Sequence, residues 1–230
     1  MWAPQIEAFS AGRRVIAPDL RGYGASPVVP GVTPLSDHAR DIASLLDGLE
    51  VTEFVLAGLS MGGQIALECC ARFPDRVRGL VLADTFAAPE TPAGRITRAE
   101  TADRLLAEGM RGYADEVLEG MVAPYAAPAV KTHVHRMMTA TSPEGAAAAL
   151  RGRAERPDYR PVLPRVTVPA LVVVGADDTY TPVADAQALH AALPDSALTV
   201  VEGAAHLPNL ERPREFNTAL ADLLARVDGA

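Results

Sequence analysis

Five short runs of apolar and β-branched residues recur along the chain, with helical patterns between them. The runs are RRVIAP (13–18), EFVLAG (53–58), VRGLVLAD (77–84), PALVVVG (169–175) and ALTVVEG (197–203). Most of them are almost continuously apolar, which is typical of strands that helices cover on both faces of a parallel sheet. The pattern therefore predicts five strands of such a sheet.

Two of the intervening segments have the periodicity of amphipathic helices. Apolar residues recur there at spacings of three and four, namely Leu35, Ala39, Ile42, Leu46 and Leu49 in the first segment and Phe216, Leu220, Leu223 and Val227 in the second. This spacing places the apolar side chains on one face of a helix, which can pack against a sheet. Strands that alternate with helices predict an α/β fold with a mostly parallel, doubly wound sheet.

Residues 86–160 interrupt this alternation. They contain no convincing strand, carry many prolines and glycines, and include short helical patterns such as TADRLLAEGM, YADEVLEGM and PEGAAAALRGR. We predict that residues 86–160 form a helical cap, inserted into a core made of residues 1–85 and 161–230.

Length and charge narrow the classes of function. The chain has 230 residues, 49% of them hydrophobic, and its 29 acidic and 21 basic residues give a net charge of −8. This balance disfavours binding to nucleic acid phosphates or anionic membranes, and no basic run exceeds two residues. No segment has the pattern of a secretory leader or the apolar length of a membrane span. We expect a cytoplasmic protein that binds neither nucleic acid nor membrane; its oligomeric state is not predicted.

The run GLSMG (58–62) places a serine between glycines where the second predicted strand meets a helix. A strand that turns abruptly into a helix strains the central residue, and glycines beside it allow the close backbone approach. Ser60 would stand at the carboxyl end of the strand, and the backbone N–H of Met61 would point at a developing oxyanion. A glycine-rich turn with an incidental serine is the alternative, but the order of strand, turn and helix favours Ser60 as a nucleophile.

A serine nucleophile needs a histidine base, and His206 has the best position of the five histidines. His206 lies in GAAHLPNLERP, just after the last predicted strand, and can reach the carboxyl edge of the sheet. His38 and His190 fall within amphipathic helices, as surface or packing residues. His133 and His135 could bind a metal on a strand, but KTHVHRMM is a helical pattern in which the two rings diverge. We expect no metal site.

Three carboxylates are candidates for the acid that orients the histidine. Asp177 and Asp178 directly follow the fourth predicted strand, and Asp84 ends the third. All three would lie at the same edge of the sheet, so position alone leaves the choice between them open. With Asp178, the chain order is Ser60, Asp178, His206, which is the order of one lineage of catalytic triads.

Five stretches together form a specific pattern: APDLRGYGASP, GLSMGGQIAL, RFPDRVRGLVLADT, VGADDTYTP and EGAAHLPNLERPREFN. Over nearly its whole length the chain resembles the α/β-hydrolase superfamily. The family's G-x-x-D-x-x-x-P acid loop falls on Gly175, Asp178 and Pro182, and its post-strand histidine falls on His206. The resemblance therefore supports Asp178 as the acid. The phrases AEGM and ATSPEGAAAAL are similar to caps of the 3-oxoadipate enol-lactonase group.

The resemblance also implies the chemistry. A serine at the turn separates this chain from the haloalkane dehalogenase and epoxide hydrolase branches, which use an aspartate there. What it implies is hydrolysis of a small ester, lactone or thioester through an acyl-enzyme on Ser60, without metal or cofactor. The second hypothesis is a ligand-binding or weakly active relative on the same scaffold. Arg95, Arg98, Arg104 and Arg136 could pair with a carboxylate substrate, but we expect them to face solvent.

The chain departs from the family pattern at its N-terminal end. In the family, an inner strand and an HG-type loop precede the helix that MWAPQIEAFS resembles, and the loop supplies a second oxyanion donor. Without that strand, the edge of EFVLAG would be unpaired. We expect that the gene begins upstream of Met1, in preference to a degraded relative. Loss of one oxyanion donor costs about 10²- to 10³-fold in turnover.

Overall fold

A four-stranded parallel sheet forms the centre of the structure, a computed structural model that describes residues 1–229. The strands β1 (Phe54–Leu59), β2 (Val77–Ala83), β3 (Ala170–Gly175) and β4 (Ser196–Val201) lie side by side in chain order, and every neighbouring pair is parallel. The predicted α/β fold with a parallel sheet is therefore confirmed.

Helices precede the sheet, connect its strands and follow it. Within residues 1–229 they are α1 (Ala3–Phe9), α2 (Leu35–Gly48), α3 (Met61–Arg72), α4 (Pro92–Glu108), α5 (Met110–Met121), α6 (Pro128–Thr139), α7 (Pro143–Ala154), α8 (Val183–Ala192), α9 (Pro208–Glu211) and α10 (Pro213–Asp228). The two predicted amphipathic helices are α2 and α10. None of the helices in this part of the chain has the length and apolar character needed to cross a membrane.

The sheet is covered on both faces because successive side chains of its inner strands point to opposite faces and are nearly all apolar. In β2, Leu80 and Leu82 belong to a core with α2, α3 and α8, whereas Val81 and Ala83 belong to a second core with α10. Continuous apolar runs are what a strand needs when both of its faces are buried. The predicted doubly wound arrangement is confirmed.

The segment between β2 and β3 is helical, as predicted. It contains α4 to α7 and no strand in residues 86–160, and α4 packs against α7 through Leu105, Ala146 and Leu150. The segment touches the core at the start of α7, where a Cβ on Gly145 would lie 2.0 Å from the backbone oxygen of Gly22. The division into a cap and a core of residues 1–85 and 161–230 stays a prediction.

The prediction of a strand at the first apolar run, RRVIAP, is wrong. Residues 13–18 form no strand and are largely exposed. Apolar side chains alone do not make a strand, because its backbone groups need a hydrogen-bonded neighbour. Within residues 1–229, β1 pairs only with β2, and Ala57 in the middle of β1 is exposed. The expected unpaired edge of β1 is therefore present. Residues 13–18, the predicted first strand, have no strand beside them to pair with.

His38 in α2 is a buried histidine without a hydrogen bond. Its side chain is fully buried, and within residues 1–229 neither ring nitrogen has a partner. Burial lowers the pKa of His38 below its ordinary value of 6.5, although the nearby Asp41 opposes this shift. His38 is thus a packing residue, one of the two roles predicted for it.

We expect the substitution His38→Leu to reduce the acid sensitivity of the fold. The folded state resists protonation of His38, so its contribution is present above pH ~6.5 and is lost as the pH falls through that value. Arg21, Asp37 and Asp41 are the charged groups that act on it. Urea denaturation at pH 7 and pH 5 should show a smaller loss of unfolding free energy in the variant than in the wild type. Equal losses in both proteins would contradict this account.

Candidate active site

The carboxyl ends of the four strands meet at one edge of the sheet. Parallel pairing aligns the strand ends, so the residues that follow each strand are neighbours in space. Ser60 follows β1, Asp84 follows β2, Asp178 follows β3 at the third position, and His206 follows β4 at the fifth. Every predicted site residue therefore lies at this edge.

Ser60 occupies the tight turn between β1 and α3. Its backbone has φ 54° and ψ −115°, a conformation that costs a non-glycine residue about 1–3 kcal/mol. The turn is held from β2, because the Ser60 N–H donates to the Ala83 carbonyl at 2.9 Å and the Thr85 hydroxyl donates to the Ser60 carbonyl at 2.8 Å. The strained turn predicted from GLSMG is confirmed.

Gly58 and Gly63 are the glycines that permit this turn, whereas the two glycines of GLSMG are Gly58 and Gly62. A Cβ on Gly58 would lie 2.1 Å from the Gly62 carbonyl oxygen, and a Cβ on Gly63 would lie 2.5 Å from the Thr85 side chain. A Cβ on Gly62 would meet nothing within 4 Å. Close approach therefore requires glycine at positions 58 and 63, whereas position 62 has room for a side chain.

We expect Gly58→Ala to lower the unfolding free energy by about 1–3 kcal/mol or to prevent folding, because its methyl group would overlap backbone that cannot move away. Gly62→Ala is the matched control. It should change stability by less than about 1 kcal/mol, since alanine is the better helix former. Urea denaturation of both variants measures the difference. Equal destabilisation would show that the close approach at Gly58 is not the constraint.

The hydroxyl of Ser60 and the N–H of Met61 are both available at the turn. Ser60 is half-buried, and among residues 1–229 its hydrogen bonds use only backbone atoms. Met61 is the first residue of α3, so its N–H has no acceptor inside the helix. A helix N-terminus favours negative charge, which suits the oxyanion donor predicted at Met61.

A short hydrogen bond joins His206 to Asp178. The His206 Nδ1 and the Asp178 Oδ2 are 2.8 Å apart, and both side chains are buried. The Thr181 hydroxyl also donates to Oδ2, and the Tyr180 N–H donates to Oδ1 at 2.8 Å. Burial alone would raise the pKa of Asp178, but the bonds from His206, Thr181 and Tyr180 outweigh it and lower that pKa. An ionised Asp178 accepts from Nδ1, which leaves Nε2 free to accept a proton.

The other two candidate carboxylates have different partners. Asp177 is exposed and accepts a hydrogen bond from the Tyr125 hydroxyl. Asp84 is buried, and its Oδ1 accepts from the Gly175 N–H at 2.9 Å. Burial raises the pKa of Asp84 well above its ordinary value, and the nearby Asp178 adds to this rise. Asp84 therefore resists ionisation, whereas the hydrogen bonds to Asp178 favour the ionised form of the carboxylate beside His206.

Among residues 1–229, Asp84, Asp178 and His206 form a group of side chains that could hold a metal ion. Each offers one ligand atom, and these atoms lie within 4.8 Å of one another. Two of the atoms already form the Nδ1–Oδ2 hydrogen bond, so a cation would compete with the contact that orients the imidazole. The donor set fits a histidine with its acid better than it fits a metal centre.

Glu211 holds the loop that carries His206, and it is not among the predicted site residues. Its buried carboxylate accepts from the Ala205 N–H at 2.9 Å and from the Ala123 N–H at 2.7 Å. Glu211 thereby ties the histidine loop to the segment between α5 and α6. The sequence signal was only an acid five residues after His206, and nothing local predicts the contact with Ala123.

The remaining predicted histidines lie outside the site. His190 in α8 contacts the Ser196 hydroxyl at 2.7 Å. His133 and His135 lie in α6, which is the helix predicted for them, and the His135 Nε2 is 2.6 Å from Asp115 Oδ1. Their positions fit packing and surface roles.

The expectation that the four arginines face solvent is wrong for Arg98. Arg95 and Arg136 are exposed, and Arg104 pairs with Glu116 at 2.8 Å. Arg98 is only 20% exposed and forms an ion pair with Glu90, because the loop before α4 folds back over the helix.

We expect Asp178→Asn to remove the hydrogen bond that fixes the His206 tautomer. The asparagine amide cannot act as a charged acceptor for the Nδ1 proton, and an equivalent change in a known triad lowers turnover about 10⁴-fold. In ¹⁵N-histidine NMR spectra the downfield Nδ1 proton of His206 should disappear. Asp177→Asn is the matched control and should retain the signal. Loss of the signal in Asp177→Asn alone would assign the acid to the neighbouring residue.

Comparisons with known proteins identify the relatives of the chain. Residues 1–219 match the model of the alpha/beta hydrolase family. The chain is similar to 3-oxoadipate enol-lactonase 2 of Acinetobacter baylyi, at 31% identity over 98% of the chain and 84% of the relative. It is also similar to a pimeloyl-[acyl-carrier protein] methyl ester esterase of Chromobacterium violaceum, at 32% identity over 90% of the chain and 82% of the relative.

A solved structure has nearly the same backbone. The malate-bound structure of a thermophilic esterase from Thermogutta terrifontis superposes with a TM-score of 0.96 and 37% identity. The match covers 98% of this chain and 85% of the esterase.

Proposed function

Because the chain belongs to the alpha/beta hydrolase family, we propose that it hydrolyses a small ester or lactone through an acyl-enzyme on Ser60. It is a hydrolase of the ester-cleaving type, in line with relatives named as an enol-lactonase and a methyl ester esterase. The observation that carries the finer proposal is the Asp178–His206 hydrogen bond, which lies at the same sheet edge as the strained turn of Ser60.

In the first half of the reaction, Ser60 Oγ attacks the carbonyl carbon of the substrate. His206 Nε2 takes the hydroxyl proton, and Asp178 stabilises the imidazolium that forms. The carbonyl oxygen becomes an oxyanion, to which the Met61 N–H at the start of α3 donates. Collapse of the tetrahedral intermediate breaks the ester bond, and His206 returns its proton to the leaving alcohol. In a lactone the alcohol stays attached to the acyl group.

In the second half, water replaces the alcohol. His206 Nε2 takes a proton from the water molecule, and the water oxygen attacks the acyl carbon that is bound to Ser60. A second tetrahedral intermediate collapses, the Ser60 oxygen recovers the proton, and the carboxylic acid leaves. Water is the only second substrate, so the bonds and protons balance without a cofactor.

The helical segment of residues 86–160 is proposed as the cap that selects the substrate. It reaches the site through Ala123, whose N–H donates to Glu211 below the His206 loop. An apolar enclosure above Ser60 would exclude water from the oxyanion and strengthen its hydrogen bonds. The leaving group and acyl chain that fit would be set by α4 to α7.

We expect Ser60→Ala to lower the turnover of p-nitrophenyl acetate by about 10⁴-fold or more, since the variant has no nucleophile. A fluorophosphonate probe should label the wild type at Ser60 and leave the variant unlabelled, as read by mass spectrometry. Ser10→Ala is the control, because Ser10 is exposed and lies in another part of the chain; it should keep both activity and labelling.

The ligand-binding hypothesis predicts neither ester turnover nor labelling by the probe. A folded wild type that neither cleaves the ester nor reacts with the probe would overturn the proposed hydrolysis at Ser60. Turnover that persists unchanged in Ser60→Ala would place the chemistry elsewhere.

A further inference from the structure

Glu211 is a buried carboxylate that the proposed reaction does not use. The residue is 8% exposed, and three backbone N–H groups donate to its side chain. Burying a carboxylate costs free energy unless hydrogen bonds compensate for the water that is lost. In Glu211 the compensation comes from two parts of the chain that are far apart in sequence.

The two oxygens of Glu211 face these two parts separately. Oε1 accepts from the N–H groups of Ala205 at 2.9 Å and Leu207 at 3.3 Å, the residues on either side of His206. Oε2 accepts from the Ala123 N–H at 2.7 Å. Because a carboxylate is planar and rigid, a displacement of Ala123 is transmitted through it to the backbone that carries the imidazole.

The connection between α5 and α6, residues 122–127, is fixed to the helix on each side. The Val122 N–H donates to the Leu118 carbonyl in α5 at 3.2 Å, and the Lys131 side chain in α6 donates to the Pro124 carbonyl. The position of this connection therefore depends on where the two helices lie.

The same connection also contacts the loop of Asp178. The Tyr125 hydroxyl donates to the Asp177 carboxylate. The Asp177 N–H in turn donates to the Ala204 carbonyl at 2.9 Å, which joins the acid loop to the loop of His206. Both loops that carry the histidine–acid pair are thus bonded to one piece of the helical segment.

A cleft of about 470 Å³ lies between this connection and the acid loop. Its lining includes Ala123 and Tyr125 from the connection, and Asp178 and Ala205 from the two loops. On this side Asp178 has open space beside it instead of packed side chains. Hydrogen bonds at the borders of the cleft therefore hold the connection and the loops in place.

The contact between His206 and Asp178 is sensitive to small displacements. Nδ1 and Oδ2 are 2.8 Å apart, and a hydrogen bond weakens as its atoms separate and its angle bends. A misplacement of about 1 Å in a reacting group can lower a rate about 10²-fold. A shift of the His206 backbone would lengthen this bond even though every residue of the site is present.

We propose that Glu211 is a positioning residue, whose carboxylate couples the connection between α5 and α6 to the loop of His206. The placement of the helical segment thereby sets the geometry of the His206–Asp178 hydrogen bond. The effect on turnover rests on the proposed hydrolysis at Ser60, whereas the effect on the hydrogen bond does not.

The substitution Glu211→Gln tests the coupling, because an amide has one oxygen acceptor where the carboxylate has two. The amide oxygen can still accept from the N–H groups beside His206, and its NH₂ group then faces the Ala123 N–H. We expect kcat for p-nitrophenyl acetate to fall about 10- to 100-fold, with KM changed by less than about twofold. In ¹⁵N-histidine NMR spectra the downfield Nδ1 proton of His206 should shift upfield or broaden.

Glu215→Gln is the matched control. Glu215 lies one turn further along the chain in α10 and is exposed, so this variant should keep the wild-type kcat and the wild-type His206 signal. Urea denaturation identifies a merely structural role. If Glu211→Gln loses unfolding free energy but keeps both kcat and the signal, the coupling is overturned.

Hydrogen exchange of the wild type tests the coupling without a substitution. Amides that bond to one carboxylate and open together exchange with the same opening free energy. We expect the Ala123, Ala205 and Leu207 amides to be protected to within about threefold of one another. If Ala123 exchanges more than about tenfold faster than the other two, the helical segment opens without the His206 loop, and the inference fails.

The two readouts separate this inference from the proposed function. If the wild type cleaves no ester but the His206 signal changes only in Glu211→Gln, the proposed hydrolysis fails and the positioning role stands. If the wild type and both variants cleave the ester equally and keep the same signal, the hydrolysis stands and the positioning role fails.

Discussion

Parallel hydrogen bonding from β1 to β4 is the constraint on which the rest of the structure depends. It brings the carboxyl ends of all four strands to one edge, so residues separated by more than a hundred positions become neighbours. The turn of Ser60 depends on it directly, because the Ala83 carbonyl at the end of β2 accepts its N–H. The backbone pairing of the sheet therefore brings the site residues together independently of the contacts between their side chains.

Asp84 and Asp178 lie at that edge and differ in pKa because they accept different numbers of hydrogen bonds. Asp84 and Asp178 are both buried and close together, and two neighbouring carboxylates resist simultaneous ionisation. Asp178 has four hydrogen-bond donors, which lower its pKa and favour its ionised form, whereas Asp84 has one backbone donor and a pKa raised by burial. The number of donors thus decides which carboxylate orients His206. Glu211 fixes the backbone on which that histidine sits.

The helical segment between β2 and β3 contains a cluster of arginines around one buried acid. Arg98 and Arg156 both pair with Glu90, whereas Arg153 donates to Gln64 of α3.

The sequence by itself determined the strands β1 to β4, the helices α2 and α10, the helical character of residues 86–160 and the positions of Ser60 and His206 at the sheet edge. These follow from local periodicity and from residues that directly follow a strand. Only the tertiary structure decided that residues 13–18 form no strand, because a strand needs a partner that the local pattern does not contain. It also separated Asp178 from Asp84, since burial and hydrogen bonding depend on contacts between distant parts of the chain.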